Sequence, residues 1–252
     1  MAKPRIIYNN LWRKGTALAA SPAADPQHPV SDTQIDTLSM YFKASAATSP
    51  CYIPLDLGAG AGAVNFLAIL GHTIPSGTTV TFEHDDASNF PSPTSVPITY
   101  NALNMYQFFT AFTEQYVRVK LVKAGGFGSA PQVATVLCGS YFELNRSERP
   151  GYERGHEDPS VIEESDELII FTQEKPRIEI GSFPFVGISD AVRATILSFI
   201  EEVGIHKAFV LCFDYSDANN ESMWVRNSEV TIPKWMGSEN HWAWELRVRE
   251  IK

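Results

Sequence analysis

Cysteine, long apolar runs and clustered basic residues are all scarce in this chain of 252 residues. Its three cysteines, Cys51, Cys138 and Cys212, are far apart and odd in number, which predicts buried free thiols rather than a zinc site or a disulfide framework. No window reaches about 18 consecutive apolar residues, so we expect no membrane insertion. The N-terminus, MAKPRIIYNNLW, lacks the apolar segment of a signal peptide, which indicates folding in a reducing cytoplasm.

Charged residues are also few, and acidic residues outnumber basic ones. The formal net charge is −9, and the basic residues form no stripe, so the sequence predicts no nucleic-acid partner. The histidines are scattered without an HExxH or HxH pair, and Ser140 lies outside a GxSxG elbow. We therefore expect no metal ion, no cofactor and no catalytic residue, and hence a protein that is not an enzyme.

Glycine, proline and aromatic residues, by contrast, are plentiful. Sixteen glycines, sixteen prolines and 12% aromatic residues are typical of a fold rich in strands and turns. Short apolar runs bounded by turn residues recur through residues 51–144, and in 116–122 apolar and charged residues alternate as in a strand with one solvated face. These patterns predict a mostly β protein whose residues 1–146 form a β-sandwich.

The pattern changes after a charged stretch, residues 147–166, which we predict to be a linker. Residues 167–252 predict a small α+β domain of about five strands and one helix. Its first two apolar runs, 167–173 and 177–183, are predicted to pair as a hairpin.

The helix and the last strand of this second domain have the clearest signals. Ser189 is placed to cap a helix that carries apolar residues on one face and ends at Gly204. In the last strand, alternation puts Trp242 and Trp244 on the apolar face, where we expect them to lie in the core.

The stretch LDLGAGAGAV, residues 55–64, allows two interpretations. Its glycines follow an apolar strand, and Glu83 ends the next strand about 20 residues later, so the stretch resembles the first motif of S-adenosylmethionine-dependent methyltransferases. Such a fold needs helices that alternate with parallel strands. Residues 73–145 show strands and turns instead, which favours a simple turn between two strands.

A longer stretch, SMYFKASAATSPCYIPLDLGAGAGAVNFLAILGHTIPSGTTVTFEHDD, resembles the discoidin-like (galactose-binding-like) jelly-roll domain. The shared pattern is an aromatic and a small residue before a strand, then hxhDLG, and then the strands AILGH and TVTFE. The later EQYVRVKLVK fits the strand with which that family's chain returns to the sandwich. The resemblance covers roughly residues 5–145 and implies a discoidin-like β-sandwich.

The second half resembles a different family. SFPFVGISDAVRATILSFIEEVGIHKAFVLCFDYSDANNESMWVRNSEVTIP and HWAWELRVRE are similar to the C-terminal region of tail proteins from tailed bacteriophages. This resemblance implies a structural component of a phage tail tip, located in the virion, with other tail proteins as partners. It also implies a homo-oligomer, either a ring or a trimer, and a host glycan as a further ligand. A free carbohydrate-binding module and a methyltransferase are the alternatives.

Two groups of residues are predicted to make external contacts. The acidic turn EHDDASN provides a glycan-contact loop of His84, Asp85, Asp86 and Asn89. Its oxygens suit calcium, but the turn lacks the ligand spacing of a known calcium loop, so a solvated turn is the other interpretation.

The second group is a predicted assembly surface of Trp235, Arg247 and Arg249, because tryptophan and arginine are favoured at interface centres. The segment DYSDANNES also contains a candidate pair of catalytic carboxylates among Asp214, Asp217 and Glu221. Acid–base catalysis would need one of them desolvated, and nothing nearby in the sequence provides this, which favours a solvated connection.

Overall fold

The chain forms two compact units. A computed structural model describes residues 3–144, 153–164, 170–237 and 241–251. The unit that we call the sandwich unit consists of Asn9–Tyr141 and Tyr215–Ser222. The C-terminal unit consists of Met1–Tyr8, Phe142–Asp214 and Met223–Lys252. Of the predicted linker, residues 147–166, the structure describes 153–164.

The elements are mostly strands. In chain order they are β1 (Arg5–Ile7), α1 (Leu11–Lys14), β2 (Thr16–Ala17), a 3₁₀ helix (Val30–Gln34), β3 (Phe42–Lys43), β4 (Cys51–Asp56), β5 (Val64–His72), β6 (Thr79–Asp85), β7 (Thr94–Ile98), β8 (Met105–Phe112), β9 (Tyr116–Val122), β10 (Gln132–Gly139), β11 (Phe142–Glu143), β12 (Glu153–Glu157), β13 (Val161–Glu164), β14 (Ile170–Gln173), β15 (Ile178–Ile188), α2 (Asp190–Val203), β16 (Phe209–Cys212), a 3₁₀ turn (Tyr215–Asp217), α3 (Ala218–Glu221), β17 (Ser222–Glu229), β18 (Lys234–Trp235) and β19 (Trp242–Glu250). Among the described residues, no helix is long and apolar enough to span a membrane.

Two antiparallel sheets make up the sandwich unit. One has the strand order β3-β10-β5-β8 and the other has the order β2-β4-β9-β6-β7. Apolar side chains from both inner faces form one continuous core. In β9, Val117, Val119 and Leu121 are fully buried, whereas Arg118 and Lys120 lie on the outer face. The predicted mostly β class, with an N-terminal β-sandwich, is confirmed.

The glycine-rich turn connects the two sheets, since β4 belongs to one sheet and β5 to the other. Gly58, Gly60 and Gly62 have φ angles of 85°, 75° and 105°, a region that glycine enters without steric cost. The residues that follow form β5, which pairs antiparallel with β8 and β10. A nucleotide-binding motif requires a helix at that point, so the methyltransferase interpretation is wrong.

The C-terminal unit is a sheet with helix α2 packed against it. The sheet has the strand order β11-β1-β16-β17-β19-β15-β12, and β18 pairs with β19. The Oγ atom of Ser189 accepts a hydrogen bond from the backbone N–H of Val192 at 3.4 Å, and the helix ends at Gly204, whose φ is 55°. Its buried face packs Phe199 against the rings of Phe209 and Trp244. The predicted helix and its two ends are confirmed.

The predicted hairpin between residues 167–173 and 177–183 is wrong. Strand β14 pairs with β13, whereas β15 pairs with β12 and with the distant β19. The reason is that β15 has eleven residues, and β19 offers it a partner of matching length and alternation. Long-range pairing of this kind leaves no mark on the local pattern that the prediction used.

Candidate functional site

Four polar and aromatic side chains gather where two loops of the sandwich unit meet ahead of β4. We call Asp25, His28, Tyr41 and Lys43 the Asp25–Lys43 cluster. Backbone hydrogen bonds hold the loops together, from the N–H of Asp25 to the carbonyl of Lys43 at 2.8 Å and from the N–H of Lys43 to the carbonyl of His28 at 3.1 Å. Because Phe42 is buried in the core, alternation along the extended chain places its two neighbours, Tyr41 and Lys43, on the outer side.

The side chains of the cluster form two contacts. The rings of His28 and Tyr41 stack with their centroids 4.2 Å apart and their planes 14° apart. The Lys43 ammonium lies 3.6 Å from the Asp25 carboxylate. A hydrogen bond from the backbone N–H of Gln27, together with the charge of Lys43, lowers the pKa of Asp25, so this carboxyl is ionised at neutral pH. All four side chains of the cluster are partly exposed.

A shallow groove of about 360 Å³ adjoins the cluster along the chain. Small and apolar side chains line it: Ala17, Leu18, Ala19, Ala20, Ala23, Ala24, Pro29, Val30 and Ser31. These residues flank the segment Asp25–His28 on both sides in sequence. A concave, mostly apolar surface with a few fixed polar groups nearby is typical of a site for a small ligand.

The sequence predicted Tyr41 only as part of a packing pattern and did not predict the other three members of the cluster. Asp25 and Lys43 become neighbours through the bridge between Ala24 and Ala44, which joins two irregular loops. No periodicity marks such a bridge, so the sequence held no signal for it.

The predicted glycan-contact loop lies at the end of β6. His84 is only 7% exposed, and its ring stacks on Phe112 at 3.8 Å. The Asp85 carboxylate accepts two backbone N–H groups of its own turn at 3.0 and 3.1 Å. Asp86 and Asn89 are exposed. Two of the four side chains therefore hold the turn in shape, and a glycan contact at the other two stays a prediction.

Glu83, in the same turn sequence, belongs to a charged network on the outer face of the sandwich. It is 1% exposed and accepts hydrogen bonds from Arg118 at 2.6 Å and from Lys120 at 2.8 Å. Burial raises the pKa of Glu83, but its hydrogen bonds with Lys120 and Arg118 outweigh burial and lower it. The Arg118 guanidinium lies between the rings of Tyr52 and Phe90, at 4.4 and 4.2 Å from their centroids.

The acidic segment after β16 lies on the surface. Asp217 is exposed and accepts hydrogen bonds from the Asn220 amide at 2.9 and 3.1 Å. Asn219 accepts a hydrogen bond from the backbone N–H of Tyr106 at 2.7 Å. Because Asp217 is exposed, it agrees with the predicted solvated connection. It is not the desolvated carboxylate that acid–base catalysis would need.

The predicted assembly residues are not all brought together. Arg247 and Arg249 line a groove of about 560 Å³ on the C-terminal sheet. Arg247 contacts Glu229 at 2.6 Å, and Arg249 lies 3.5 Å from Glu157. Trp235 is 63% exposed on β18 and does not line this groove.

Of the residues predicted to be internal, Trp244 and the three cysteines are buried, whereas Trp242 is only partly buried against the core. Trp244 is 3% exposed. The three cysteines are free and buried, and burial raises the pKa of Cys51 to about 12. Thiols in such surroundings are unreactive. Among the described side chains, no three of His, Cys, Asp or Glu gather in a group that suits a metal ion.

Comparison with known proteins reaches only about half of the chain. No family model matches the sequence, and no curated protein matches it. The structure is similar to chitosan-binding module 1 of a chitosanase/glucanase from Paenibacillus sp. IK-5, with 19% identity, a TM-score of 0.45, and coverage of 53% of this chain and 100% of the module. It is also similar to the family 32 carbohydrate-binding module of NanJ from Clostridium perfringens, in complex with galactose, with 16% identity, a TM-score of 0.41, and coverage of 54% of this chain and 99% of the module.

Proposed function

We propose that the sandwich unit binds a carbohydrate at the Asp25–Lys43 cluster. The observation that carries this proposal is the pairing of stacked rings with a charged pair beside a groove. Sugars present apolar ring faces together with hydroxyl groups that both donate and accept hydrogen bonds. An aromatic side chain suits the first feature, and a carboxylate with an ammonium suits the second.

The spacing of the charged pair supports this proposal. Lys43 Nζ lies 3.6 Å from Asp25 Oδ2, which is longer than a hydrogen bond between charged groups. A sugar hydroxyl can therefore accept a hydrogen bond from Lys43 and donate one to Asp25. The backbone hydrogen bonds between the loops hold the two groups in place before the ligand arrives, which reduces the entropy lost on binding.

Calorimetric titration of the protein with a panel of oligosaccharides tests the proposal. We expect one class of saccharide to bind. We expect Tyr41→Ala to weaken this binding about tenfold, or about 1.4 kcal/mol, because the aromatic surface that contacts the apolar face of the sugar is lost. Tyr116→Ala removes a partly exposed tyrosine elsewhere on the same unit and should bind normally. Absence of binding across the panel, or equal loss in both variants, would contradict the proposal.

The role in a phage tail tip stays a prediction from the sequence. The same holds for tail-protein partners, a ring or trimer, and location in the virion. Trp235 is well exposed, which an assembly surface requires. Of the interpretations of the sequence, the free carbohydrate-binding module is the one that the geometry of the Asp25–Lys43 cluster supports.

A further inference from the structure

One face of the C-terminal sheet carries exposed charges on strands β12, β15, β19 and β17. We call the face of these strands that points away from helix α2 the outer sheet face. Val248 lies in the core that α2 shares with the sheet, so alternation points its neighbour Arg249 outward. Asn227 is 4% exposed and donates to the carbonyl of Gly204, at the end of α2, at 2.6 Å. Its neighbour Arg226 therefore also belongs to the outer sheet face.

Two arginines of this face stand directly opposite each other. Arg226 on β17 is the register partner of Arg249 on β19, and like charges in directly opposite positions destabilise a sheet. Arg249 lies 3.5 Å from Glu157. Arg226 is exposed, and its side chain has no hydrogen bond or ion pair with any described residue. The pair of arginines therefore favours contact with an additional carboxylate.

A carboxylate of this kind lies at the opposite edge of the same face. Glu153, on the last strand of the sheet, β12, is exposed, and among the side chains that the structure describes it has no hydrogen-bond or ion-pair partner. It lines the groove of about 560 Å³ together with Arg249 and Ile180, and Ile180 is 37% exposed. Strands β15 and β19 separate Glu153 from Arg226. This separation is about 14 Å at about 4.8 Å per strand, which is too far for an ion pair within one chain.

We infer that the outer sheet face is the interface of a symmetric dimer, in which Glu153 of each copy pairs with Arg226 of the other. A twofold axis that runs along the strands, parallel to the sheet, places β12 of one copy over β17 of its partner. Each of the two charges then gains an opposite charge, and the exposed Ile180 side chains are buried between the sheets. The groove that Glu153 lines gives the long arginine side chain of the second copy room to enter.

The distribution of charge on this face favours a second copy of the chain over an unrelated partner. A twofold contact requires a surface that is complementary to itself. The outer sheet face meets this requirement, because it has an acidic group at one edge and a basic group at the other. Arg247 lies between them and contacts Glu229 at 2.6 Å and Glu245 at 2.9 Å. These two carboxylates limit the repulsion between the two copies of Arg247 near the axis.

The size of the outer sheet face sets the strength of the contact. Four strands spaced about 4.8 Å apart, over about seven residues of about 3.3 Å each, cover roughly 450 Å² per copy, or roughly 900 Å² for the pair. Weak and reversible complexes bury areas of this size. We therefore expect a dimer that dissociates in the micromolar range and weakens as salt is added.

Sedimentation equilibrium of the full chain over a concentration series at low salt tests the inference. The wild type should show a reversible equilibrium between monomer and dimer. Glu153→Arg and Arg226→Glu should each raise the dissociation constant of the dimer at least about tenfold, because each homodimer then contains two contacts between like charges. Glu201→Arg makes the same change of charge at an exposed site of α2 and should leave the dissociation constant unchanged.

Mixing the two interface variants provides the sharpest test. In a heterodimer of Glu153→Arg with Arg226→Glu, both contacts again join opposite charges. The equimolar mixture should therefore dimerise like the wild type, although each variant alone is mostly monomeric. A misfolded variant could not recover in this way, and thermal unfolding checks the fold of each variant independently.

Three results would overturn the inference. They are a wild type that stays monomeric at its highest soluble concentration, an effect of Glu201→Arg equal to that of the interface substitutions, and a mixture of folded variants in which no dimer returns. None of these results bears on carbohydrate binding, because the interface lies in the C-terminal unit and the Asp25–Lys43 cluster lies in the sandwich unit.

Discussion

At the scale of single residues, Glu83 is a buried charge whose ion pairs stabilise the fold. Its carboxylate is almost fully buried and bonded to Arg118 and Lys120. Glu83→Gln leaves these two cations without a counter-charge, and we expect it to destabilise the protein by about 1–3 kcal/mol. The lower part of that range allows for the partial exposure of Lys120, which is screened by solvent.

The same residue predicts a pH dependence. Because the pKa of Glu83 is lowered in the folded protein, its stabilising contribution is present above its unfolded pKa, about 4.3, and is lost as the pH falls through the folded pKa. Urea unfolding at pH 7 and below pH 4 measures this. The difference between wild type and Glu83→Gln should shrink in acid, and an unchanged difference would contradict the assignment.

The sequence predicted part of this network. Alternation in β9 correctly placed Arg118 and Lys120 on the solvated face. Their partner depended on the register between β9 and β6, which pairs Arg118 with Glu83, and a single sequence does not contain that register. The ring of Phe90 over Arg118 was equally hidden, since Phe90 has a φ of 50°, an uncommon conformation for a bulky residue.

At the scale of elements, helix α2 was predicted with both ends because each end has a local chemical cause. Ser189→Ala removes the side-chain acceptor for the N–H of Val192 and should cost about 1 kcal/mol in unfolding free energy. Ser198→Ala, in the exposed middle of the same helix, should cost less than about 0.5 kcal/mol. Chemical denaturation of both variants provides the comparison, and equal losses would mean that the cap contributes nothing.

Elements without such local causes were mispredicted or missed. Strand β8 was not predicted, because MYQFFTAF shows no clean alternation and its middle residues are only partly buried at the edge of the four-stranded sheet. The pairing of β15 with β19 was replaced by a false hairpin for the same reason. Local patterns report the face that an element buries, but they do not report which distant strand it joins.

At the scale of the whole molecule, β1 is the strand whose place in its sheet differs most from its place along the chain. This strand comes first in sequence, yet it lies between β11 and β16 in the sheet of the C-terminal unit. The predicted sandwich of residues 1–146 included it because RII is an apolar run next to other strand signals. Nothing in three residues indicates a partner about 200 residues away in sequence, as the pairing of Ile6 with Leu211 requires.

The placement of β1 has a measurable consequence for the C-terminal unit. Ile6 is fully buried in the core of that unit, so Ile6→Ala should destabilise it by about 2–4 kcal/mol through lost burial and the cavity left behind. Ile35→Ala removes the same atoms from an exposed site of the sandwich unit and should cost less than about 0.5 kcal/mol. Hydrogen exchange resolves the two units: faster exchange in β16 and β17 of Ile6→Ala, with the amides of β5 and β9 unchanged, is the expected result. Faster exchange confined to β5 and β9 would mean that the first strand supports the sandwich after all.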